Sequence, residues 1–508
     1  MLLWASFDAI PARVKPVSSS WRTELAVALA ICLAVFITRC PTFLRSVLDW
    51  DESLYFLIAA QWRAGHLPYT TIWDNKPVGI YAIFAVFQAV FCERVAAMRI
   101  ATICFVSLAA FAVYRIAFAI GRRRLAGILA ALAFVVGSLG NDGLAANTEI
   151  FMAAFTSLAV CAAFSTGRPI ATGLVAGLLM GCAFMTKYVA VFEDPALLFL
   201  LLSRHRRQDA PAILLGVIAG AALPLATVVA AYAAAGELPL WWACSVASNF
   251  RRVGTQVQSG ALAYAVHTQL WRWGPFYLLA GIMLVTSFFR KGRAGWSDHL
   301  FLALWFLGGC LGVAAAKSFY DHYFLQLLPV LCVTFGCAAA TAPRWSRPAF
   351  IIAVLAFPGW AAFAALGDAT RPVLTWNHGI ILSSDEPETI AADLAAPLAA
   401  TPQASVYIFD SQPILYALIN RPAPTRFVLP SVLTTEFLAQ VAGVDAMAEE
   451  TRILATQPLF IIRRPIPVVS GNAADPAVYA LLTQTLTTHY QLWRRYPDAL
   501  VYISNAVK

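Results

Sequence analysis

Apolar residues run through this chain in long stretches divided by short polar ones. Thr23 to Cys40 is apolar apart from Glu24 and Arg39 near its ends, and Val95 to Ile120 is a second run of the same kind. Others follow at Leu125–Leu139, Thr148–Ser165, Ile170–Thr186, Tyr188–Ser203, Ala212–Ala235, Gly274–Phe289, Leu300–Ala316, Tyr323–Ala340 and Pro348–Leu366. Because roughly 20 apolar residues cross a bilayer as a helix, the pattern predicts a polytopic α-helical membrane protein with about 11 spans. Val78 to Cys92 is the short run; at roughly 15 residues it falls below that length and is read as interfacial or re-entrant.

The charges in the loops support that choice. If Val78–Cys92 does not cross, the triplet Arg122-Arg123-Arg124 lies on the cytoplasmic side, as do Arg168, the cluster Arg204, Arg206 and Arg207, the group Arg290, Lys291 and Arg293, and Arg344 with Arg347. Arg13, Lys15 and Arg22 precede the first run, which shows no small-residue cleavage site and is read as an uncleaved first span with a cytoplasmic N-terminus. The expected organisation is a cytoplasmic segment at 1–22 and a transmembrane domain at 23–367 whose first external loop is 41–95. A small extracytoplasmic α/β domain at 368–508 completes it. In that last part Ala404–Phe409 and Leu459–Arg463 read as strands and Val478–Arg494 as a helix.

Composition agrees with the class. The chain is 60% hydrophobic and 12% charged, with a mean hydropathy of +0.70, and its net charge of +9 reads as membrane topology rather than as a nucleic-acid footprint. The ten cysteines lie mostly within apolar runs and suggest neither a disulfide framework nor a zinc site.

Against this background one loop stands out. Asp49 to Lys76 carries Asp49, Asp51, Glu52, Asp74 and Lys76 beside the bilayer, where ionisable groups are costly unless paired or functional. Ser53–Arg63 puts Leu54, Leu57, Ile58 and Gln61 at helical spacing, so Asp51 and Glu52 sit at a helix N-terminus, where capping alone would also account for Asp51. The predicted topology gathers Glu149, Lys187, Arg251, Arg252, His267, Arg272, Lys317, Asp321 and His322 on the same outer side. Cations there run against the topological bias, and an anionic lipid headgroup would explain them. Each has a plain structural reading: Glu149 as a helix-dipole partner, Lys187 as a snorkelling residue at a helix end, and His267 and His322 as satisfied lone histidines.

Taken in order, Asp51-Glu52 with Tyr55, Asp74-Asn75-Lys76-Pro77, Ala146 to Phe151, Thr186-Lys187 and Asp321 to Pro329 resemble the GT-C glycosyltransferases that use polyprenyl-phosphate sugars. That group includes the protein O-mannosyltransferases, aminoarabinose transferases and lipopolysaccharide galacturonosyltransferases. The resemblance covers about Thr23 to Leu366. It departs at Lys76-Pro77-Val78, where Lys-Pro-Pro is usual, and at Asn75, where an acidic residue is often found; the second departure bears on any metal-ligand role there.

The resemblance implies a bacterial inner-membrane enzyme whose active site and C-terminus lie on the periplasmic side. It would move a sugar from a polyprenyl-phosphate carrier to a hydroxyl of a cell-envelope glycolipid, polysaccharide or protein, with inversion. Asp51 would be the general base with Glu52 beside it, and Lys76, Lys187 and Arg251 or Arg252 would hold the donor phosphate. Tyr55, Asp74, Glu149, His267 and His322 are further site candidates; a divalent metal ion is compatible with these residues and not required by them. The partners implied are the lipid-linked sugar, the acceptor and the bilayer, with no nucleic acid. A lipid or glycan transporter would also place charge at membrane depth but should show internal repeats, which this sequence lacks. A membrane-anchored sensor would not need acidic and basic residues gathered in separate outer loops.

Overall fold

The computed structural model describes residues 20–92, 94–165, 167–254, 260–289, 295–315, 317–370, 374–376, 380–382, 385–465 and 474–506. The expected cations Arg13, Lys15, Arg290, Lys291 and Arg293, and the external terminus Lys508, lie outside the described residues. In chain order the helices begin with α1 (Trp21–Arg39), α2 (Trp50–Arg63), α3 (Gly79–Phe91), α4 (Val95–Gly121) and α5 (Arg124–Gly137). Next come α6 (Thr148–Ala163), α7 (Pro169–Thr186), α8 (Asp194–Arg204) and α9 (Ala210–Ala234). The short helices α10 (Leu238–Trp241) and α11 (Ser248–Gly254) flank a π-helical turn at Trp242–Ala247, and α12 (Ala261–Phe289), α13 (Trp296–Ala315), α14 (Leu328–Thr341) and α15 (Arg347–Thr370) follow.

Among the described residues, 7 helical stretches are long and apolar enough to cross a membrane, beginning at Trp21, Val95, Pro169, Arg207, Trp296, Asp321 and Arg347. The chain is a polytopic helical membrane protein, but with fewer such helices than the 11 expected. The runs at 125–139 and 148–165 form helices of 14 and 16 residues. The run at 188–203 is broken by a 3-10 turn, Tyr188–Glu193, ahead of the 11-residue α8, and 274–289 is the second half of the 29-residue α12, which contains Pro275. Hydropathy counts apolar residues; it does not see where the backbone turns. At 13 residues, α3 is about 20 Å long, short of the ~30 Å hydrocarbon core.

The chain divides into two compact units, the first made of residues up to Cys40 with Ile100–Ala231 and Ser259–Gly367, and the second of Pro41–Arg99, Tyr232–Gln258 and Asp368 onward. The core of the first is built from Phe134, Trp273, Phe276, Phe301, Trp305 and Phe335 with many alanines and valines of α4, α5 and α14. Small residues bring backbones together. A Cβ on Gly173, Gly177 or Gly181 of α7 would run into the backbone of Ile213, Val217 or Ala221 of α9, and one on Gly216 or Gly220 would run into α7 in return. This is the close, small-residue packing by which helices associate in lipid, where burial of apolar surface supplies no drive. At the end of α1, buried Arg39 donates to the carbonyls of Ser138 (2.6 Å), Gly143 (2.7 Å) and Leu144 (3.4 Å), which gives the loop ahead of α6 its shape.

The second unit joins α2 and α3 to the C-terminal part. There β1 (Leu374–Trp376) and β2 (Ile380–Leu382) pair antiparallel, and a mixed four-stranded sheet is formed by β3 (Val406–Ile408), β4 (Phe460–Arg463), β5 (Tyr490–Arg495) and β6 (Leu500–Ser504) in the order β3-β4-β6-β5. Only β3 and β4 run parallel, and the crossover between them contains α17 (Leu415–Leu418), α18 (Pro430–Thr434), α19 (Glu436–Ala442) and α20 (Ala446–Ala455), after α16 (Glu386–Ala400). Gly443, at φ 72°, turns the chain out of α19 and donates to the Ala439 carbonyl at 2.8 Å. The helix expected at Val478–Arg494 is corrected: α21 (Pro476–His489) stops at His489, and Tyr490–Arg495 is a strand paired with β6. Its aromatic residues Tyr490 and Trp493 favour a strand, a signal that the preceding helical period masks.

Gly177→Leu should force α7 and α9 apart. Overpacking of this kind costs about 1–3 kcal/mol, so thermal unfolding of the detergent-solubilised chain should shift to lower temperature, with Gly274→Leu, whose Cβ position is open, as the control that does not shift.

Candidate active site

In the second unit, Asp49 opens α2. Its backbone is extended, and its Oδ1 accepts from the Asp51 N–H at 3.1 Å, so Asp49 rather than Asp51 is the N-cap, and Asp51 and Glu52 lie in the first turn near the positive end of the helix dipole. The two carboxylates then part company. Glu52 is wholly buried and takes both arms of Arg99, Nη1 at 2.7 Å and Nη2 at 2.8 Å, while its Oε1 also accepts from the Leu48 N–H. Asp51 is partly exposed, 3.3 Å from Lys76 Nζ and 3.1 Å from the Tyr55 hydroxyl one helical turn on, which donates to it. The Lys76 ammonium also stands 5.7 Å from the Tyr55 ring centre.

Asp74 is buried behind this group. It accepts from the Tyr81 hydroxyl at 2.7 Å and from the Asn75 N–H at 2.6 Å, and Lys76 Nζ lies 3.8 Å away. Burial pushes its carboxyl above the usual carboxylate range, against the opposing pull of Lys76. The Tyr69 and Tyr81 hydroxyls reach the Lys76 carbonyl at 2.6 and 3.4 Å. Arg251 is tied elsewhere, donating twice to the Val441 carbonyl near the C-terminus of α19 (3.0 and 2.8 Å), and Arg252 beside it is half-buried.

The first unit holds a second charged group. Glu149 sits in the first turn of α6 and Lys187 is the extended residue that ends α7; the two form an ion pair. Thr148 Oγ1 donates to the other Glu149 oxygen at 3.0 Å, and the Lys187 ammonium stands 3.8 Å from the Tyr323 ring centre. His322 lies 3.9 Å from Glu149 and 4.0 Å from Asp142, beyond direct hydrogen bonding. Asp321 accepts from Arg272 at 2.6 Å, and Arg272 also reaches Asn141 at 3.1 Å. His267 is exposed on α12 and joins none of these contacts. Among the described residues no three His, Cys, Asp or Glu side chains are placed to hold a metal ion.

Sequence reasoning passed over Arg99, Tyr69, Tyr81 and Asp142, and met Tyr323 only within the stretch from Asp321 to Pro329. Arg99 was signalled: a cation near the start of an apolar run is expected to have a partner. The tyrosines carry no such mark, because an aromatic in an apolar segment is ordinary core.

The profile of the family described as dolichyl-phosphate-mannose-protein mannosyltransferase matches residues 75–231. An undecaprenyl phosphate-alpha-4-amino-4-deoxy-L-arabinose arabinosyl transferase of Proteus mirabilis is 24% identical over 329 residues, which cover 60% of this chain and 58% of that relative. The chain thus spans less than two thirds of the length of that curated relative. Among solved structures, ArnT from Cupriavidus metallidurans bound to undecaprenyl phosphate superposes with a TM-score of 0.61 at 13% identity, covering 96% of this chain and 99% of that one. The apo state of the same protein gives 0.56 at 16% identity, with 94% and 97% covered. At these identities the likeness shows a shared fold.

Two outcomes follow from the pairings. Glu52→Gln leaves Arg99 buried beside a neutral amide, and breaking a buried pair from one side costs about 3–5 kcal/mol; a large drop in thermal stability is expected, unlike Asp51→Asn. For Asp74 the native carboxyl binds its proton more readily than the unfolded one, so its contribution favours the folded state at low pH. That contribution is lost as pH rises from about 3.9, the unfolded value, through the raised native value. Comparing unfolding temperatures across that window, Asp74→Asn should abolish this part of the decline.

Proposed function

We propose, from the GT-C-like fold that this chain has, that it is a membrane glycosyltransferase taking a sugar from a polyprenyl-phosphate carrier to a hydroxyl of a cell-envelope glycolipid, polysaccharide or protein. The observation that carries this reading is Asp51, a partly exposed carboxylate held 3.3 Å from a lysine and hydrogen-bonded by Tyr55. A general base must be reachable and fixed in direction, and Asp51 meets both conditions. Glu52 does not, since Arg99 and the Leu48 N–H occupy its oxygens; in this reading it positions the start of α2.

In the proposed reaction an Asp51 oxygen takes the proton of the acceptor hydroxyl as the hydroxyl oxygen bonds to the anomeric carbon. The bond from the anomeric carbon to the phosphate oxygen breaks on the opposite face, its electron pair stays on the phosphate, and the configuration inverts. Polyprenyl phosphate leaves without needing a proton, so no general acid is required. Lys76 binds the donor phosphate, exchanging a carboxylate for a phosphate oxygen in a charge-assisted contact, with Arg251 or Arg252 as a further cation for it; Lys187, paired with Glu149 in the first unit, is a second phosphate-binding candidate. The positive-inside bias of Arg122–Arg124, Arg204, Arg206 and Arg207 supports placing those arginines on the cytoplasmic side and Asp51 on the outer side, the periplasmic one in the bacterial inner membrane we propose.

The test is transfer from a panel of radiolabelled polyprenyl-phosphate sugars by the purified chain in nanodiscs. Wild-type protein is expected to transfer from one of them, and Asp51→Asn, nearly the same shape without basicity, should lose about 10²–10⁴ in rate while staying folded. Turnover at the wild-type rate in Asp51→Asn would return Asp51 to a structural role.

A further inference from the structure

We infer that Arg426, far along the chain in the C-terminal part of the second unit, is a positioning residue that fixes Lys76 for the donor phosphate. This deepens the function proposed above and rests on it.

Lys76 lies in the loop between α2 and α3, and its backbone carbonyl is held by the Tyr69 hydroxyl at 2.6 Å. Tyr69 is fully buried, its ring packed edge-on to Tyr81 at 5.8 Å and its backbone at φ 71°, a left-handed conformation that a tyrosine keeps only when its surroundings impose it. The imposing group is Arg426. Its guanidinium Nη2 donates to the Tyr69 carbonyl at 2.7 Å, and its own carbonyl accepts from the Trp73 N–H at 2.8 Å. One residue therefore brackets the turn from Tyr69 to Trp73 with side chain and backbone together, while the Trp73 and Phe427 rings pack at 6.2 Å.

Arg426 is itself anchored. Next to it Thr425 Oγ1 donates to Glu449 of α20 at 2.6 Å and accepts from the Phe427 N–H at 3.1 Å, so the latch is continuous with the helices of the C-terminal part. On the other flank Asn249, just beyond the π-helical turn, donates to the carbonyl of Asn75 at 2.7 Å. The residue before Lys76 is thus gripped by a partner distant in sequence, while the carbonyl of Lys76 is held by Tyr69, seven residues back, whose own carbonyl the distant Arg426 holds. π-helical turns recur at functional sites, and this one offers Cys244 Sγ to Arg426 at 3.7 Å. The C-terminal part therefore acts on the reaction through Tyr69, without supplying a group that touches substrate.

The experiment is a double-mutant cycle on full-length protein in nanodiscs, read as affinity for undecaprenyl phosphate per folded molecule. Arg426→Ala should weaken binding about tenfold, the equivalent of one net hydrogen bond, and in a Lys76→Ala background it should weaken binding no further. Unchanged affinity in Arg426→Ala, or a loss that adds in full to that of Lys76→Ala, overturns the inference, since general structural damage would be additive. If Arg426→Ala fails to fold, Arg426→Met, which keeps the bulk without the donors, carries the same cycle. Wild-type affinity in Lys76→Ala alone removes the donor role of Lys76 and the inference with it, a failure read from a different variant.

Discussion

A charged carboxylate is costly to take out of water unless it is paired, and for Glu52 the partner is Arg99. The contact is bidentate, both partners are buried, and the same pair gathers the Leu48 N–H and the Arg45 carbonyl, so the chain entering α2 has one path. Asp51 depends on this arrangement. With Glu52 engaged by Arg99 inside the unit, Asp51 is the partly exposed one of the two adjacent carboxylates.

The same economy of charge recurs at the lysines. Lys76 has Asp51, and Lys187 has Glu149 with a tyrosine face beneath its ammonium. Paired this way, each lysine has its charge compensated within its own unit.

Much of this was legible in the sequence, and the remainder was hidden for identifiable reasons. The class and the acidic loop followed from hydropathy and from charge where charge is expensive, and the ordered motifs around Asp51, Lys76, Glu149 and Lys187 led to the fold. Among the described residues fewer helices are long and apolar enough to cross than there are apolar runs, because residues 125–139 and 148–165 form helices of 14 and 16 residues and a 3-10 turn interrupts 188–203. The strand at Tyr490–Arg495 was absorbed into the helix before it, where period alone does not mark the boundary. Least legible were contacts made across hundreds of residues: no local pattern announces that Arg426 reaches Tyr69, or that Arg39 holds the carbonyls of Ser138 and Gly143.

The glycine seam between α7 and α9 bears on how the protein responds to temperature. Hydrophobic burial in water weakens on cooling, because its drive is entropic near room temperature. The seam between Gly173, Gly177 and Gly181 and the facing backbone owes nothing to that drive; it rests on dispersion between closely approached atoms, which is enthalpic. In the most apolar window of the stretch that contains α9 only 17% of residues are buried, so that seam is a large share of what retains the helix. Its attachment is therefore of a kind that does not loosen in the cold.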